Sequence, residues 1–278
     1  MGLDPVVARA ALHHWEEPCI SGTKGSGAVF FAGCPLGCVF CQNHAISRGG
    51  LDHRDTGGVR RPHSVYQLAD VFLGLQAQGV HNLNLVTATQ YLPGVRAALA
   101  LARAGGLCLP CVWNTGGYET PQTVHALRGD VDIWLFDLKY HAPALSTQLA
   151  DAPDYFEVAS RALQAVCTQT GPPVFGGDGL LRSGVIVRLL VLPGHRDDAI
   201  RLLEYLAGHL PKDGFLLSLM RQYTPPQGVA LPPPLDRKLS SYEYNQVLDA
   251  AVRLGLQNGW AQDKASASGA YLPPFEHG

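Results

Sequence analysis

The sequence has no apolar run long enough to span a bilayer, and its first twenty residues lack the apolar core of a signal peptide. Lys and Arg are dispersed and the formal net charge is −2, so no basic footprint for nucleic acid or an anionic membrane is visible. We therefore expect a cytoplasmic protein that binds neither. The 278 residues, 46% of them hydrophobic and 16% charged, suit one large globular domain.

The most informative absence is a fourth cysteine beside a cluster of three. Cys34, Cys38 and Cys41 lie close together, but the next cysteine is Cys108. An odd total of seven, with three clustered, favours metal ligation in a reducing compartment over a disulfide framework. Ferredoxin-type clusters take four cysteines, and structural zinc takes four cysteine or histidine ligands. Three thiolates on one loop would hold a four-iron cluster by three corners and leave one iron free for a ligand that is not protein.

Strand and helix patterns alternate along most of the chain. "AVFFAG" is continuously apolar, as a parallel strand buried on both faces would be. Ser64 and Gln67 form a capping-box pattern at the start of a helix that Gly79 ends. About six β/α units argue for an α/β fold with a right-handed parallel barrel, and six are too few to close one, so we expect a partial (β/α)₆ TIM-like barrel. The later units are helices at 94–104, 121–127, 153–168 and 197–209 and strands at 82–86, 107–113, 132–136, 184–194 and 215–220.

Three segments are expected from composition. Residues 1–27 form an N-terminal extension with a short helical pattern and the loop "SGTKGSG", and residues 28–225 form the barrel. Residues 226–278 hold a Pro-rich linker, a C-terminal helix and a tail. The helix starts at a capping box of Ser240 and Glu243 and should pack on the barrel wall. The tail, which ends in "YLPPFEHG", is expected to be disordered or laid over another surface.

The motif Cys34-x-x-x-Cys38-x-Phe40-Cys41 resembles the signature of the radical S-adenosylmethionine (radical SAM) superfamily. In that superfamily the open iron of a 4Fe-4S cluster is chelated by the amino and carboxylate groups of SAM. The resemblance implies a radical SAM core in which the cluster reductively cleaves SAM to a 5′-deoxyadenosyl radical, and the radical abstracts hydrogen from a substrate. The segments "VTATQYLP", "VWNTGGYE", "DIWLFDLKY", "VRLLVLPG" and "LMRQYTP" also resemble the PflX-like branch, relatives of pyruvate formate-lyase activating enzyme, so that the likeness runs from about residue 21 to 225.

The resemblance also implies contacts with SAM. Phe40 stands where the superfamily has an aromatic residue near the adenine. Thr87 follows a strand at the position where many relatives carry a Gly-Gly-Glu motif for the methionine amino group. Asn114 stands where formate-lyase activating enzymes use an aspartate, and Gln222 and Tyr223 stand where family members contact the ribose or the substrate. Simple turn formation is the alternative for Thr87 and Asn114.

Charged residues also occur at or near two apolar strands. Asp137 and Lys139 are two residues apart, so on an extended strand they share a face and would meet the polar parts of SAM together; a plain ion pair is the alternative. Arg188 shares a face with Ile186 and Leu190. A guanidinium there needs an anionic partner, and the SAM carboxylate is the candidate.

Other interpretations of the cysteines stay open. Cys34, Cys38 and Cys41 would make a zinc site if His44 or Cys19 completed it. The C-x-x-C pair that begins at Cys108 suggests a redox pair, but core packing is favoured over it.

Three functions follow from these patterns. The first is activation of a partner enzyme by abstraction of a glycine α-hydrogen, and the second is radical modification of a peptide or small molecule. The third, from another class, is an iron–sulfur electron carrier or a zinc-stabilised interaction module. An external one-electron donor such as flavodoxin or ferredoxin is implied, because the sequence shows no flavin or second-cluster motif. No residue is assigned a catalytic role beyond the binding of the two cofactors, the 4Fe-4S cluster and SAM.

Overall fold

The computed structural model describes residues 4–47, 61–226 and 228–262. Ten strands are present in these ranges, and all but a short hairpin partner lie in one path through a single sheet. The strands are β1 (Val6–His13), β2 (Ser26–Phe31), β3 (Arg61–Pro62), β4 (Leu83–Val86), β5 (Cys111–Thr115), β6 (Ile133–Asp137), β7 (Val174–Phe175), β8 (Leu181–Leu190), β9 (Leu216–Met220) and β10 (Gly259–Ala261).

Helices follow most of the strands, as β/α units require. Two of them, α1 and α2, have only one turn each, and a short 3₁₀ helix at Thr89–Tyr91 precedes α4. The helices are α1 (Pro18–Ser21), α2 (His44–Ser47), α3 (Val65–Ala77), α4 (Leu92–Ala104), α5 (Pro121–Ala126), α6 (Pro143–Ala150), α7 (Tyr155–Thr170), α8 (Arg196–His209) and α9 (Ser241–Arg253). Within the described ranges no helix combines the length and the apolar character needed to cross a bilayer.

The sheet is an open array of parallel strands. Its order is β10-β9-β8-β6-β5-β4-β2-β1-β3, with β7 paired to β8 at the side. The six strands from β2 to β9 along this path are parallel to their neighbours. Over the described residues the order ends at β10 and β3 without closing. The prediction of a partial (β/α)₆ barrel is therefore confirmed.

The expectation of a helix near the N-terminus is wrong. Residues 6–13 form β1, which runs antiparallel to β2 and brings a further strand to the sheet. The alanines of this segment favour a helix, but pairing with β2 and burial of Val6, Val7 and Ala8 decide its structure. Helix appears only afterwards, as the single turn α1. The described part of residues 1–27 thus adds a strand to the barrel sheet.

Some predicted elements have different bounds, and α6 and β10 were not predicted. The helical region expected at 153–168 is α7, and a separate helix, α6, precedes it. Asp151 ends α6 in the left-handed conformation, with φ of +53°, which stops the helix before α7 begins. The strand expected at 107–113 starts only at Cys111, and β10 was not expected at all. The tail from residue 263, with "YLPPFEHG", lies outside the described residues.

The two faces of the sheet carry separate apolar cores. The outer face and the helices form the larger core, which contains Trp113, Trp134 and Phe136. The inner face forms a smaller core at the base of the barrel, where α1 packs against strands β5, β6, β8 and β9. Its members are Cys19, Ile20, Val112, Ile133, Leu135, Leu181, Ile186 and Leu216, with Trp260 beside them. The base of the barrel is thus filled with apolar side chains.

Both predicted capping boxes are present, and the second one joins α9 to the barrel. Ser240 and Glu243 cap each other's backbone N–H groups. The Glu243 carboxylate also accepts the Gly194 N–H at 2.7 Å and pairs with Arg237 at 2.8 Å. Hydrogen bonds from Arg237 dominate its environment and hold the pKa of Glu243 far below its usual range. Glu243 therefore fastens the C-terminal helix to the loop after β8.

Replacing Glu243 tests this attachment. Glu243→Gln should lower the free energy of unfolding by about 1–3 kcal/mol at pH 7, because the hydrogen bonds of this carboxylate are charge-assisted. The pKa of Glu243 is lowered in the folded state, so its stabilisation is complete above the pKa of the unfolded chain, about 4.3. The difference between the two proteins should therefore shrink as the pH falls below that value. Urea denaturation of the wild type and of Glu243→Gln at several pH values measures this difference in the free energy of unfolding.

The control is Glu157→Gln, which removes a pair with Arg161 in which both side chains are about two-thirds exposed. Exposed pairs of this kind contribute at most about 0.5 kcal/mol. Equal losses in the two variants would show that Glu243 does not fasten the helix.

Candidate functional site

A cavity of about 980 Å³ lies at the carboxyl ends of the parallel strands. Pockets that bury a small-molecule ligand hold about 300–1,000 Å³, so this one is at the large end of that range. All of the site residues predicted from the sequence line it. They are Cys34, Cys38, Phe40, Cys41, Thr87, Asn114, Asp137, Lys139, Arg188, Gln222 and Tyr223.

The cysteine loop is fastened to the end of helix α6. The Gly37 N–H donates to the Ala150 carbonyl at 3.0 Å, and the Val39 N–H donates to the Leu149 carbonyl at 2.8 Å. Leu36 and Phe40 on the same loop are buried in the outer core. The loop between the cysteines is therefore held by backbone hydrogen bonds and by packing.

Each of the three sulfur atoms has a hydrogen-bond donor nearby. Cys34 Sγ lies 3.4 Å from the Leu36 nitrogen, Cys41 Sγ lies 3.4 Å from the Ser47 hydroxyl, and Cys38 Sγ lies 3.6 Å from the Tyr140 hydroxyl. Burial raises the pKa of the Cys34 thiol to about 11 and also raises that of Cys38. These two thiols are protonated near neutral pH, and a metal that binds them must displace their protons.

The donor set fits a cluster better than a single ion. Within residues 4–47, 61–226 and 228–262, no three Cys, His, Asp or Glu side chains are arranged to hold one metal ion. Cys19, one candidate for completing a zinc site, lies in the apolar core at the barrel base. A four-iron cube binds each cysteine through a different iron, so its sulfur ligands need not converge on one point. Three free cysteines on one loop, all lining the cavity, suit that geometry.

The second cysteine pair is not part of the cavity. Cys111 is fully buried at the start of β5, and Cys108 is exposed before the strand, where its N–H donates to Gln76 Oε1 at 2.8 Å. The expectation of core packing therefore holds for Cys111, which lies in the larger apolar core, and is wrong for Cys108, which is exposed.

Phe40 packs among aromatic rings. Its ring centroid lies 5.8 Å from that of Tyr223 and 6.5 Å from that of Tyr140, both in edge-on contact. The Tyr223 hydroxyl donates to the Leu235 carbonyl at 2.6 Å, and Gln222 Oε1 accepts from Gln262 at 3.1 Å. These contacts hold the aromatic side of the cavity in place. Their assignment to adenine or ribose stays a prediction.

The charged residues of the cavity form one connected network. Asp137 accepts from Arg188 Nε through one oxygen and from Lys139 Nζ through the other, both at 2.7 Å. Arg188 also donates to Asn114 Oδ1 at 2.6 Å and pairs with Glu16 at 3.3 Å. The anionic partner that we expected SAM to supply to Arg188 is thus supplied by the protein. The predicted ion pair of Asp137 with Lys139 is present.

Asn114 is not a turn residue. It lies within β5, and its amide nitrogen donates to Glu16 Oε1 at 3.2 Å while its oxygen accepts from Arg188. The same Glu16 oxygen accepts from Asn84 at 2.8 Å. The side chain of Asn114 therefore bridges a carboxylate and a guanidinium.

Burial and pairing have opposite effects on the pKa values in this network. Burial alone would raise the pKa of Asp137, but Arg188 and Lys139 outweigh it and the pKa is lowered. Burial alone would lower the pKa of Lys139, but the attraction of Asp137 outweighs burial and the pKa is raised. Asp137, Lys139 and Arg188 are therefore ionised. For Glu16, burial outweighs the attraction of Arg188 and raises the pKa.

Thr87 has an unusual backbone conformation at the end of β4. Its φ of +57° is in the left-handed region, where a β-branched residue is strained by roughly 1–3 kcal/mol. The Thr87 N–H donates to the Asn114 carbonyl at 2.9 Å, and its own carbonyl accepts from Gln90 at 2.8 Å. Nearby, the buried carboxylate of Glu119 accepts from the hydroxyls of Thr89 and Thr115. Strain held by such contacts is typical of binding sites.

Sequence reasoning missed the two glutamates of the cavity. Glu16 and Glu17 follow β1 and line the cavity together with the predicted residues. Two adjacent acids before a proline look like an exposed turn in the sequence. Only the path of β1 and α1 into the barrel places them inside, and no local signal reveals that path.

Comparison with known proteins supports the fold. No family model matches the chain. An uncharacterized protein from Methanocaldococcus jannaschii is 26% identical over 248 residues, which are 88% of this chain and 66% of that relative. The chain therefore spans slightly less than two thirds of the length of this curated relative.

Two solved structures have the same architecture. Methylornithine synthase matches with a TM-score of 0.54 and 15% identity over 84% of this chain and 63% of its own. QueE from Escherichia coli matches with a TM-score of 0.52 and 14% identity over 94% of this chain and 95% of its own. The chain thus has the same partial α/β barrel fold as these two structures.

Removal of Arg188 tests the charge network. Arg188→Met should lower the free energy of unfolding by about 3–5 kcal/mol, because it leaves the buried Asp137 and Glu16 carboxylates without their guanidinium. The matched control is Arg96→Met, since Arg96 pairs with Asp130 at 2.8 Å but is 45% exposed and should contribute at most about 1 kcal/mol. Urea denaturation of both variants makes the comparison. Similar losses would mean that Arg188 has no special part in the network.

Proposed function

We propose that this protein is a radical SAM enzyme that holds a 4Fe-4S cluster on Cys34, Cys38 and Cys41. The observation that carries the proposal is that these cysteines line a single cavity with every residue expected to contact SAM. In that role the bound cluster supplies an electron that splits SAM to a 5′-deoxyadenosyl radical, which abstracts hydrogen from a substrate. The protein residues position the ligands, exclude water and hold the charges of the site.

The residues present suit these tasks. The ring of Phe40 and its tyrosine neighbours offer an apolar surface for an adenine, and the Asp137–Lys139 pair offers both signs of charge to an amino acid moiety. Thr87 and Asn114 lie at neighbouring strand ends, joined by a backbone hydrogen bond. A cluster held by the three cysteines would lie at the same cavity, since all three cysteines line it. The fold is compatible with this chemistry, since radical SAM neighbours share it.

The second part of the proposal concerns the class of substrate. The sequence resemblance to the PflX-like branch favours an activating enzyme that abstracts the α-hydrogen of a glycyl residue in a partner protein. A concave cavity of about 980 Å³ also suits a peptide end or a small molecule, and this favours the second candidate, radical modification of such a ligand. Flavodoxin or ferredoxin is proposed as the electron donor. All seven cysteines are free, as a reducing cytoplasm would keep them.

Cysteine variants test the proposed function. After anaerobic reconstitution the wild-type protein should hold about four iron atoms per chain and release 5′-deoxyadenosine from SAM under dithionite. Cys34→Ala, Cys38→Ala and Cys41→Ala should each lose the cluster absorption and the release of 5′-deoxyadenosine. Cys108→Ala, which removes an exposed thiol outside the cavity lining, should retain both.

Two results would contradict the proposal. A wild-type protein with bound zinc in place of iron would indicate an interaction module. A protein with four iron atoms that releases no 5′-deoxyadenosine would indicate an electron carrier.

A further inference from the structure

The residues Glu16 and Glu17 are fixed inside the barrel by the segment that follows β1. The Glu17 carbonyl accepts the N–H groups of Ile20 and Ser21 at 2.8 and 3.0 Å, and the Glu16 N–H donates to the Ser21 hydroxyl at 3.0 Å. Ile20 in turn is packed in the apolar core at the barrel base. Both carboxylates are therefore held in place by the backbone of α1 and by the core below it.

The cavity lining contains one carboxylate more than its cations require. Among the described residues, its acids are Glu16, Glu17 and Asp137, and its permanent cations are Lys139 and Arg188. Asp137 pairs with both cations, and Glu16 pairs with Arg188. Glu17 has no ion pair in the part of the chain that the structure describes. Glu17 is therefore the one of these three carboxylates that pairs with no cation among the described residues.

The Glu17 side chain is also short of hydrogen bonds. Its Oε2 atom has almost no exposed surface and no partner among the described residues. The Ser218 hydroxyl is a neighbouring donor, but a hydroxyl brings no charge. Burial raises the pKa of Glu17 against the attraction of Arg188. An added cation would offset the burial of this carboxylate and give Glu17 Oε2 a charged donor.

The position of Glu17 indicates which ligand would supply that cation. From the cysteine loop the charges follow in the order Lys139, Asp137, Arg188, because Tyr140, next to Lys139, contacts Cys38, and Asp137 pairs with Lys139 and with Arg188. Asp137, Arg188 and Ser218 are register partners on β6, β8 and β9, directly above the apolar base. Glu17 is thus at the floor of the cavity, and the cysteines are at its other end.

We propose that Glu17 binds a cationic amine of the second substrate, the molecule from which hydrogen is abstracted. This inference rests on the proposed function, in which SAM binds at the cysteine loop, and it assigns the floor of the cavity to the substrate. An ammonium group there completes the charge balance of the cavity and gives Glu17 Oε2 the donor that it lacks. The substrate class is a primary amine, either a small molecule or the side chain of a lysine residue.

A binding experiment on the reconstituted full-length protein tests this site. The probe is n-butylammonium, which has the form of a lysine side chain, and 1-butanol is the uncharged comparison. Saturation-transfer NMR should detect saturable binding of the ammonium and not of the alcohol. Glu17→Gln should weaken binding at least tenfold, and Glu17→Asp, which keeps the charge, should weaken it less. Glu204→Gln, on the exposed face of α8, should leave it unchanged.

Each outcome decides the proposal. Equal binding of n-butylammonium to wild type and Glu17→Gln, or no binding to either, would overturn it. If Glu17→Gln bound SAM more weakly but bound n-butylammonium as the wild type does, the cation paired with Glu17 would be the ammonium group of SAM. That result would also overturn the proposal. Near-UV circular dichroism verifies that each variant is folded. Failure of the wild-type protein to cleave SAM would contradict the proposed function alone, since binding of the amine is read without SAM.

Discussion

The buried guanidinium of Arg188 is the constraint on which the arrangement of the cavity depends. A cation inside a barrel must be surrounded by acceptors, and Arg188 draws them from strand β6, strand β5 and the N-terminal segment through Asp137, Asn114 and Glu16. These contacts fix the side chains that a ligand would meet before any ligand arrives. Lys139 is positioned through the same Asp137 carboxylate. The polar side of the cavity is therefore preorganised by ion pairs within the protein.

The cysteine loop is preorganised in a different way. It depends on two backbone hydrogen bonds to the end of α6 and on the burial of Leu36 and Phe40. The thiols themselves are held weakly, by one donor each. A loop of this kind keeps its path while its sulfur ligands change their protonation and their bonds, which suits the assembly of a metal cluster after folding.

The barrel could be predicted because it depends on short-range patterns, and most of the predicted cavity residues came from the resemblance to a known family. Apolar strands alternating with capped helices define the β/α units, and residues at the carboxyl ends of parallel strands gather at one edge, as Asp137 and Asn114 do. The partners of these residues could not be predicted, since the acceptors of Arg188 come from positions more than fifty residues away along the chain. Glu16 and Glu17 were missed for the same reason. The alanine-rich stretch before them favoured a helix, and only its pairing with β2 shows that it is a strand.

The apolar base formed by α1 and the inner faces of the strands has a consequence for the order of events. Because the base of the barrel is filled, a molecule cannot reach the floor beside Glu17 from below. It would approach from the carboxyl ends of the strands, where the cysteine loop also lies. A nucleotide bound beside that loop would cover part of this approach and favour binding of the deeper molecule first.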